Sequence, residues 1–277
     1  MPLFIASLNS GSNGNCYYVG NKQEAVLVDA GISCRETEKR MQRLGLSMRM
    51  VKAIFVSHEH SDHISGIAVL AKKYQLPVYI TPSTMQRGGL VLDENIVKSF
   101  SAFETINIGD LQVTAFPKMH DAAHPHSFII TCGDIKVGVF TDIGIACEHV
   151  VYYFSQCHAA FLEANYDDVM LDNGNYPIHL KRRIRGGQGH LSNKQALELF
   201  KTHRSPFLGH LLLSHLSKNN NDPKLVQELF DEHAGDTQII VASRYMESAV
   251  YKIDGGSVAS SNEKKESKIG YYQATLF

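Results

Sequence analysis

The chain has no C-x-x-C pair, no excess of either charge, and no apolar run of membrane length. Each absence excludes something. The five cysteines, Cys16, Cys34, Cys132, Cys147 and Cys157, are odd in number and scattered. That is the usage of a reducing compartment, not of a disulfide framework. With 27 basic and 28 acidic residues, no global field announces a nucleic-acid or membrane partner, so any such partner must meet a local patch. No basic segment precedes an apolar run at the N-terminus, and no stretch approaches the ~20 apolar residues of a membrane helix. A cytoplasmic location without a membrane partner is therefore expected. No internal repeat is visible. At 277 residues the chain can form one large domain or two small ones, with a substantial core.

What the chain has instead is a concentration of histidine. Ala53-Ile54-Phe55-Val56 is an apolar run of strand length, suited to a buried parallel strand. Ser57-His58-Glu59-His60-Ser61-Asp62-His63 follows it, and a helical pattern resumes from Ile64. Neutral imidazole and carboxylate bind borderline divalent metals, and a turn can aim several of them at one point. His58 and His60, two apart, fall on the same side of an extended backbone. Asp62 and His63 open the helix, where they can face a second ion. The plainer reading is a solvated surface turn, but such turns favour Gly, Asn, Ser and Pro. The pattern predicts a metal site for two ions.

Around this centre the chain reads as alternating strands and helices. Strands are expected at 3–8, 15–20, 24–28, 76–81, 111–117, 127–132, 135–140, 159–162, 208–213 and 237–242. Helices are expected at 34–45, 62–74, from Pro82, at 193–201 and from Asp222, with Pro82 and Pro223 suited to first turns. Residues 91–110 carry no clear pattern. The segment 9–15 reads as a hairpin connection rich in Gly, Asn and Ser, and it is not the G-x-S-x-G of a serine nucleophile. Asp29, ending a strand, is expected to orient a ligand histidine rather than to bind metal. One histidine after 111–117 should complete the first metal site. His120 stands at the strand end, and His124 and His126 are expected to line the entrance or face solvent. From residue 255 to 268 the composition turns to Gly, Ser, Lys and Glu, which predicts a flexible linker. The domain expected to fold is therefore 1–254, with 255–277 a linker and terminal peptide.

His58-x-His60-x-Asp62-His63 resembles the signature of the metallo-β-lactamase superfamily. The resemblance covers nearly the whole chain and implies an α/β (α+β) fold, the four-layer αββα sandwich with metals at one edge. Carried onto this sequence, it implies that His58, His60 and His120 hold one ion and that Asp62, His63 and His215 hold the other. Asp142, in Thr141-Asp142-Ile143-Gly144, would bridge them, and Asp62 would share in catalysis. Two such ions, typically about 3.5–4 Å apart, share a water and lower its pKa from about 15.7 towards ~7. Hydrolysis is the reaction class, with Zn2+ or Mn2+ as cofactors. A secreted antibiotic-degrading enzyme fits the expected location poorly. The H-x-E-x-D-H pattern of flavodiiron proteins is excluded by His60. The interval from Asp142 to His215 is too short for the large inserted domain of RNase J-type enzymes.

Glu163 followed by Gly189-His190-Leu191-Ser192 resembles the paired motifs of RNase Z-type phosphodiesterases. That implies His190 as general acid and Glu163 as its partner, with Leu191 and Asn165-Tyr166 departing from that family's Ser and Thr. Lys181, Arg182, Arg183 and Arg185, with Gly186 and Gly187, make a local cationic stretch that can neutralise phosphates; a solvated helix end is the alternative. The opening motif at 10–16, Leu162-Glu163-Ala164-Asn165-Tyr166-Asp167, His179-Leu180-Lys181-Arg182-Arg183-Ile184 and Gly189-His190-Leu191-Ser192-Asn193 are together similar to the YycJ/WalJ family. That family implies 5′→3′ exonuclease activity on DNA. An RNA-processing nuclease, a small-molecule metallo-hydrolase acting on cyclic phosphodiesters or thioesters, and a non-catalytic scaffold are the other readings. Gln273-Ala274-Thr275-Leu276-Phe277 resembles the peptide by which bacterial repair proteins bind the DNA sliding clamp. Gln273, Leu276 and Phe277 would be its docking residues; packing of 269–277 as an edge strand is the alternative.

Overall fold

A computed structural model describes residues 1–255. The first half supplies β1 (Leu3–Asn9), β2 (Cys16–Gly20), β3 (Ala25–Val28), α1 (Cys34–Arg43), β4 (Val51–Phe55), α2 (Ser61–Ile64), α3 (Ile67–Tyr74), β5 (Val78–Tyr79), α4 (Pro82–Arg87) and β6 (Val97–Lys98). Next come β7 (Thr105–Ile108), β8 (Leu111–Pro117), β9 (His126–Cys132), β10 (Ile135–Phe140), α5 (Glu148–Phe154) and β11 (Ala159–Glu163). The remainder is α6 (Asp168–Asn173), α7 (Ile178–Arg185), α8 (Asn193–His203), β12 (His210–Ser214), α9 (Pro223–Asp231), β13 (Gln238–Val241) and β14 (Tyr251–Ile253).

The strands form two mixed sheets, β14-β1-β2-β3-β4-β5-β6 and β13-β12-β11-β10-β9-β8-β7. Their period-2 alternation divides the apolar residues between two environments. Leu3, Ile5, Val26, Val28 and Phe55 meet Val113, Phe128, Val137, Val139 and Phe161 between the sheets. Ala6, Leu8, Leu27 and Ile54 point the other way, onto Met41, Ile67 and Leu70 of the first helical layer. Phe140, Leu162 and Leu213 likewise meet Phe154, Phe200, Val226 and Phe230 of the second. Burial on both faces explains why these strands are nearly continuous apolar runs. The result is helix, sheet, sheet, helix: the expected four-layer sandwich.

Pairing direction then sets where side chains can meet. β3 and β4 are parallel, as are β10, β11 and β12. β8 runs antiparallel to β9 and β9 antiparallel to β10, so β8 points the same way as β10. Within each sheet, the loops that follow these strands leave from one edge.

Three expectations are revised. The helix expected over 62–74 is two helices parted at Ser65-Gly66. Gly66 N–H donates to Ala30 O at 2.8 Å, and a Cβ there would lie 1.9 Å from Ile32 O. The chain must approach the 30–32 loop closely, and only glycine permits it. Gly66→Ala is expected to cost roughly 1–3 kcal/mol of stability through this overpacking. Chemical denaturation checks that, and an unchanged midpoint would refute the close-contact argument. Residues 91–110 hold β6 and β7, the outer strands of the two sheets; their shortness and half-exposed pattern hid them, as is common for edges. Segments left unread, 148–154, 168–173 and 178–185, are short helices.

Candidate metal centre

The donor-bearing loops converge. His58 follows β4, and its Nε2 lies 3.1 Å from His60 Nδ1. His120, after β8, brings its Nε2 to 3.3 Å from the same His60 nitrogen. Hydrogen bonds behind the rings fix which nitrogens face inward. His120 Nδ1–H donates to Gly189 O at 3.0 Å. Ser57 Oγ–H donates to Asp29 Oδ2 at 2.8 Å, leaving its oxygen to accept from His58 Nδ1, also at 2.8 Å. Both Nε2 lone pairs are thus turned towards His60. Burial lowers the pKa of His58 well below the usual imidazole range and that of His120 to about 4. Neutral rings with converging lone pairs are what a metal requires.

A second cluster adjoins the first. His63 Nδ1–H donates to Asp29 Oδ2 at 2.7 Å, so its Nε2 faces Asp142 Oδ2 at 3.1 Å and Asp62 Oδ2 at 3.6 Å as an acceptor facing acceptors. Asp142 Oδ2 is buried without a hydrogen-bond donor. His215, after β12, places Nε2 3.4 Å from Asp62 Oδ2. Burial disfavours a charged His63, but Asp142, Asp29 and Asp62 outweigh it and raise its pKa to about 10. Burial also opposes ionisation of Asp142, yet His215, His63 and His58 hold its pKa well below the usual carboxylate value. A site that holds a proton this firmly between lone pairs is one a metal cation suits equally. His58, His60 and His120 form one group with metal-ligand spacing, Asp62, His63 and His215 another, and Asp142 meets His58 and His63 in a third. The residues present fit two ions.

The backbone is bent to reach this arrangement. Asp29, Asp142 and His215 have φ of 60°, 55° and 57°, a left-handed conformation that non-glycine residues seldom adopt and that clusters at functional sites. Each lies one or two residues past the end of a strand.

Glu163, the last residue of β11, has a wider role than its expected pairing with His190. Oε1 accepts from His190 Nδ1 at 2.8 Å and from His215 Nδ1 at 3.0 Å. Oε2 accepts from the backbone N–H of Ile143 at 2.8 Å and Leu191 at 3.2 Å. Burial works against its charge, but His190 and His215 bring its pKa down to about 2. One carboxylate therefore positions His215, His190 and the two loops that carry Asp142 and His190, and Asp142, Glu163, His190 and His215 form a fourth group with metal-ligand spacing.

Other expectations are corrected or extended. His124 is exposed, but His126 does not line an entrance. It is buried at the start of β9 against Phe100, ring centroids 5.1 Å apart, and burial lowers its pKa to about 4. The cationic stretch is helix α7. Lys181 Nζ donates to Asp172 O at 2.7 Å, Arg185 pairs with Asp172 at 2.6 Å, and Arg183 pairs with Asp121 beside His120. Arg182 is exposed and has no ion-pair partner among the described residues. Gln273, Leu276 and Phe277 lie outside the described residues.

Sequence reasoning missed the supports. Asn15 Nδ2 lies 3.2 Å from Asp62 Oδ2 and 3.0 Å from His63 Nε2. Ser10 Oγ accepts from His215 N–H at 2.7 Å. Lys118, buried, donates from Nζ to Thr141 O at 2.6 Å and so braces the residue before Asp142. Asn15 and Ser10 had a signal, since polar residues bracket two apolar strands there. Lys118 had none.

A model of the metallo-β-lactamase superfamily matches residues 10–179, stopping short of His190 and His215. The chain belongs to that superfamily and, on the likenesses that follow, to its YycJ/WalJ family. It is 36% identical over 232 residues to exodeoxyribonuclease YycJ of Bacillus anthracis, covering 82% of this chain and 87% of that one. It is 32% identical to exodeoxyribonuclease WalJ of Streptococcus pneumoniae serotype 2, covering 79% and 83%. Among solved structures, the metallo-β-lactamase fold protein YhfI of Bacillus subtilis superposes with a TM-score of 0.71 at 16% identity, over 91% of this chain and 100% of that one. That likeness speaks for the fold alone. Among the described residues no helix is long and apolar enough to cross a membrane.

Proposed function

We propose that this chain is a metal-dependent exodeoxyribonuclease, cutting DNA from the 5′ end with two divalent ions. His58, His60 and His120 would hold one ion and Asp62, His63 and His215 the other, with Asp142 grouped with His58 and His63. The observation that carries the reading is the His190–Glu163 pair set against a complete set of donors. Its partners in the argument are the exodeoxyribonucleases to which the chain is similar.

When bound, the ions supply Lewis acidity to a phosphoryl oxygen and a water of lowered pKa. The chain's own residues do the rest. Asp29, Ser57, Gly189 O and Glu163 fix the donor rings before any ion arrives, which is the pre-organisation a precise site needs. His190 keeps Nδ1 on Glu163 and leaves Nε2 free, with its side chain 19% exposed. An imidazolium held in this way can pass a proton to a departing oxygen. Asp142, Asp62 and Glu163 keep the pocket anionic enough to retain cations. The imidazole-rich group suits Zn2+, and the carboxylates with phosphodiester chemistry also admit Mn2+. The location consistent with such an enzyme is the cytoplasm.

End-labelled single- and double-stranded DNA and RNA, incubated with chelator-stripped protein restored with Zn2+ or Mn2+, test the reading. Stepwise loss from DNA 5′ ends is the expected result. RNA cut in preference to DNA, or cleavage without metal, would overturn it.

The terminal peptide is proposed to dock on the DNA sliding clamp, with Leu276 and Phe277 in an apolar pocket and Gln273 at its rim. The polar 255–268 segment would be the tether that raises local enzyme concentration at clamp-bearing DNA. Purified clamp should bind the intact chain and fail to bind the Leu276→Ala, Phe277→Ala variant. Equal binding by both would refute docking.

A further inference from the structure

A cleft of about 800 Å³ opens beside His120, between α4 and the loop after β8. Its volume is of the size that takes a small ligand. Ser83, Gln86 and Arg87 of α4 line one wall and Asp121 to Ala123 the other, with Glu59 between the end of α4 and Ala123 and Gln188 also in the lining. Ser83, Gln86 and Arg87 are spaced i, i+3 and i+4, so they share one face of α4. The helix is held tightly to the donor loop: a Cβ on Gly88 would lie 2.8 Å from Ile64 Cδ1 and 3.3 Å from Glu59 Cβ. Arg87 is thereby stationed at the mouth of the metal centre.

The chemistry of the two walls differs. Arg87 is exposed and has no ion-pair partner among the described residues, whereas Arg183 is engaged by Asp121. Glu59 bridges towards the other wall, its Oε1 accepting from Ala123 N–H at 2.7 Å. Glu59 Oε2 and Asp121 Oδ1 are buried acceptors without donors. A phosphate is attracted to Arg87, whereas the charge of Asp121 is already met by Arg183. The one aromatic ring lining the cleft is the imidazole of His120, which belongs to the donor group, so recognition falls mainly to the backbone.

We propose that this cleft seats one nucleotide of a single strand next to the scissile bond, with its phosphate on Arg87. Gln86 and Ser83 add neutral hydrogen bonds, and the Glu59 carboxylate disfavours a second phosphate beside the first. The inference rests on the nuclease reading and specifies which surface holds the strand. It also makes Arg87 the cation at the metal centre's mouth, a role the α7 arginines were expected to fill.

The test compares wild type, Arg87→Ala and Arg87→Lys, each loaded with metal and checked for equal thermal midpoints. The substrates are a 5′-labelled oligothymidylate and bis(p-nitrophenyl) phosphate, which is too small to reach α4. Loss of one charged hydrogen bond is expected to raise KM for the oligonucleotide roughly tenfold in Arg87→Ala. The salt slope of its binding should shrink by about 0.7, the value for one phosphate of a single strand. Arg87→Lys should restore the slope, because it keeps the charge. The loss on the oligonucleotide should exceed that on the small diester at least severalfold. Unchanged KM and slope in Arg87→Ala, or equal losses on both substrates, overturn the assignment of this cleft while leaving the nuclease reading in place. A wild-type chain that splits the small diester but leaves every oligonucleotide intact overturns both.

Discussion

Asp142→Asn should fold as the wild type does and yet lose bound metal and turnover. Asp142 sits at φ 55°, and asparagine shares aspartate's tolerance of the left-handed region. The replacement therefore removes charge with little change in backbone strain. The lost charge lies 3.1 Å from His63 Nε2, 3.5 Å from His215 Nδ1 and 3.8 Å from His120 Nε2. Without it, two ions would face each other across a neutral amide, and their repulsion should expel at least one. Metal analysis of the purified variant is expected to show less than the roughly two ions per chain of a dinuclear site, with nuclease activity at background. Asp142→Ala should do the same and destabilise the fold as well, because alanine is less at ease at positive φ. Full turnover with two ions retained in Asp142→Asn would refute the ligand assignment.

His190→Ala is the second large effect, and it should separate chemistry from metal binding. His190 belongs to neither imidazole-lined group proposed for the two ions, so both ions should stay. The rate on DNA should fall by ~10²–10⁴, the range for a lost general acid. A nitrophenyl phosphodiester leaves without needing a proton, so the loss there should be much smaller. Glu163→Gln supplies the contrast. Glu163 holds both His190 and His215, so its amide should weaken metal binding as well as slow the reaction. Equal losses for His190→Ala on good and poor leaving groups would contradict the acid role. Unchanged metal affinity in Glu163→Gln would contradict the shared-carboxylate geometry.

How much of this was legible follows from where each residue lies along the chain. His58, His60, Asp62 and His63 occupy one strand-turn-helix segment, so their spacing alone carries the geometry. The apolar runs of the inner strands were equally plain, because burial on both faces leaves few polar positions. His120 was favoured over His124 and His126 because it stands at a strand end, where the resembled superfamily places that ligand, and it is the one whose ring meets His58 and His60. By contrast, the terminal strand β14 pairs with β1, register Leu3 to Ile253, and no local pattern announces a partner at that separation.

Local order along the chain was sufficient for the inner strands, for the compact histidine motif and for the family, since these depend on neighbouring residues and on side-chain type. Tertiary structure alone decided which distant groups share a hydrogen bond. Parallel register brings Glu163 beside Ser214, so that one carboxylate reaches both His190 and His215. The same folding engages Arg183 with Asp121, buries His126, sets Lys118 beneath Thr141 and brings Arg87 and Glu59 into one cleft beside His120. These are contacts between elements whose separation in sequence carries no period or spacing. They exist only because two sheets pack face to face and deliver their loops to one edge.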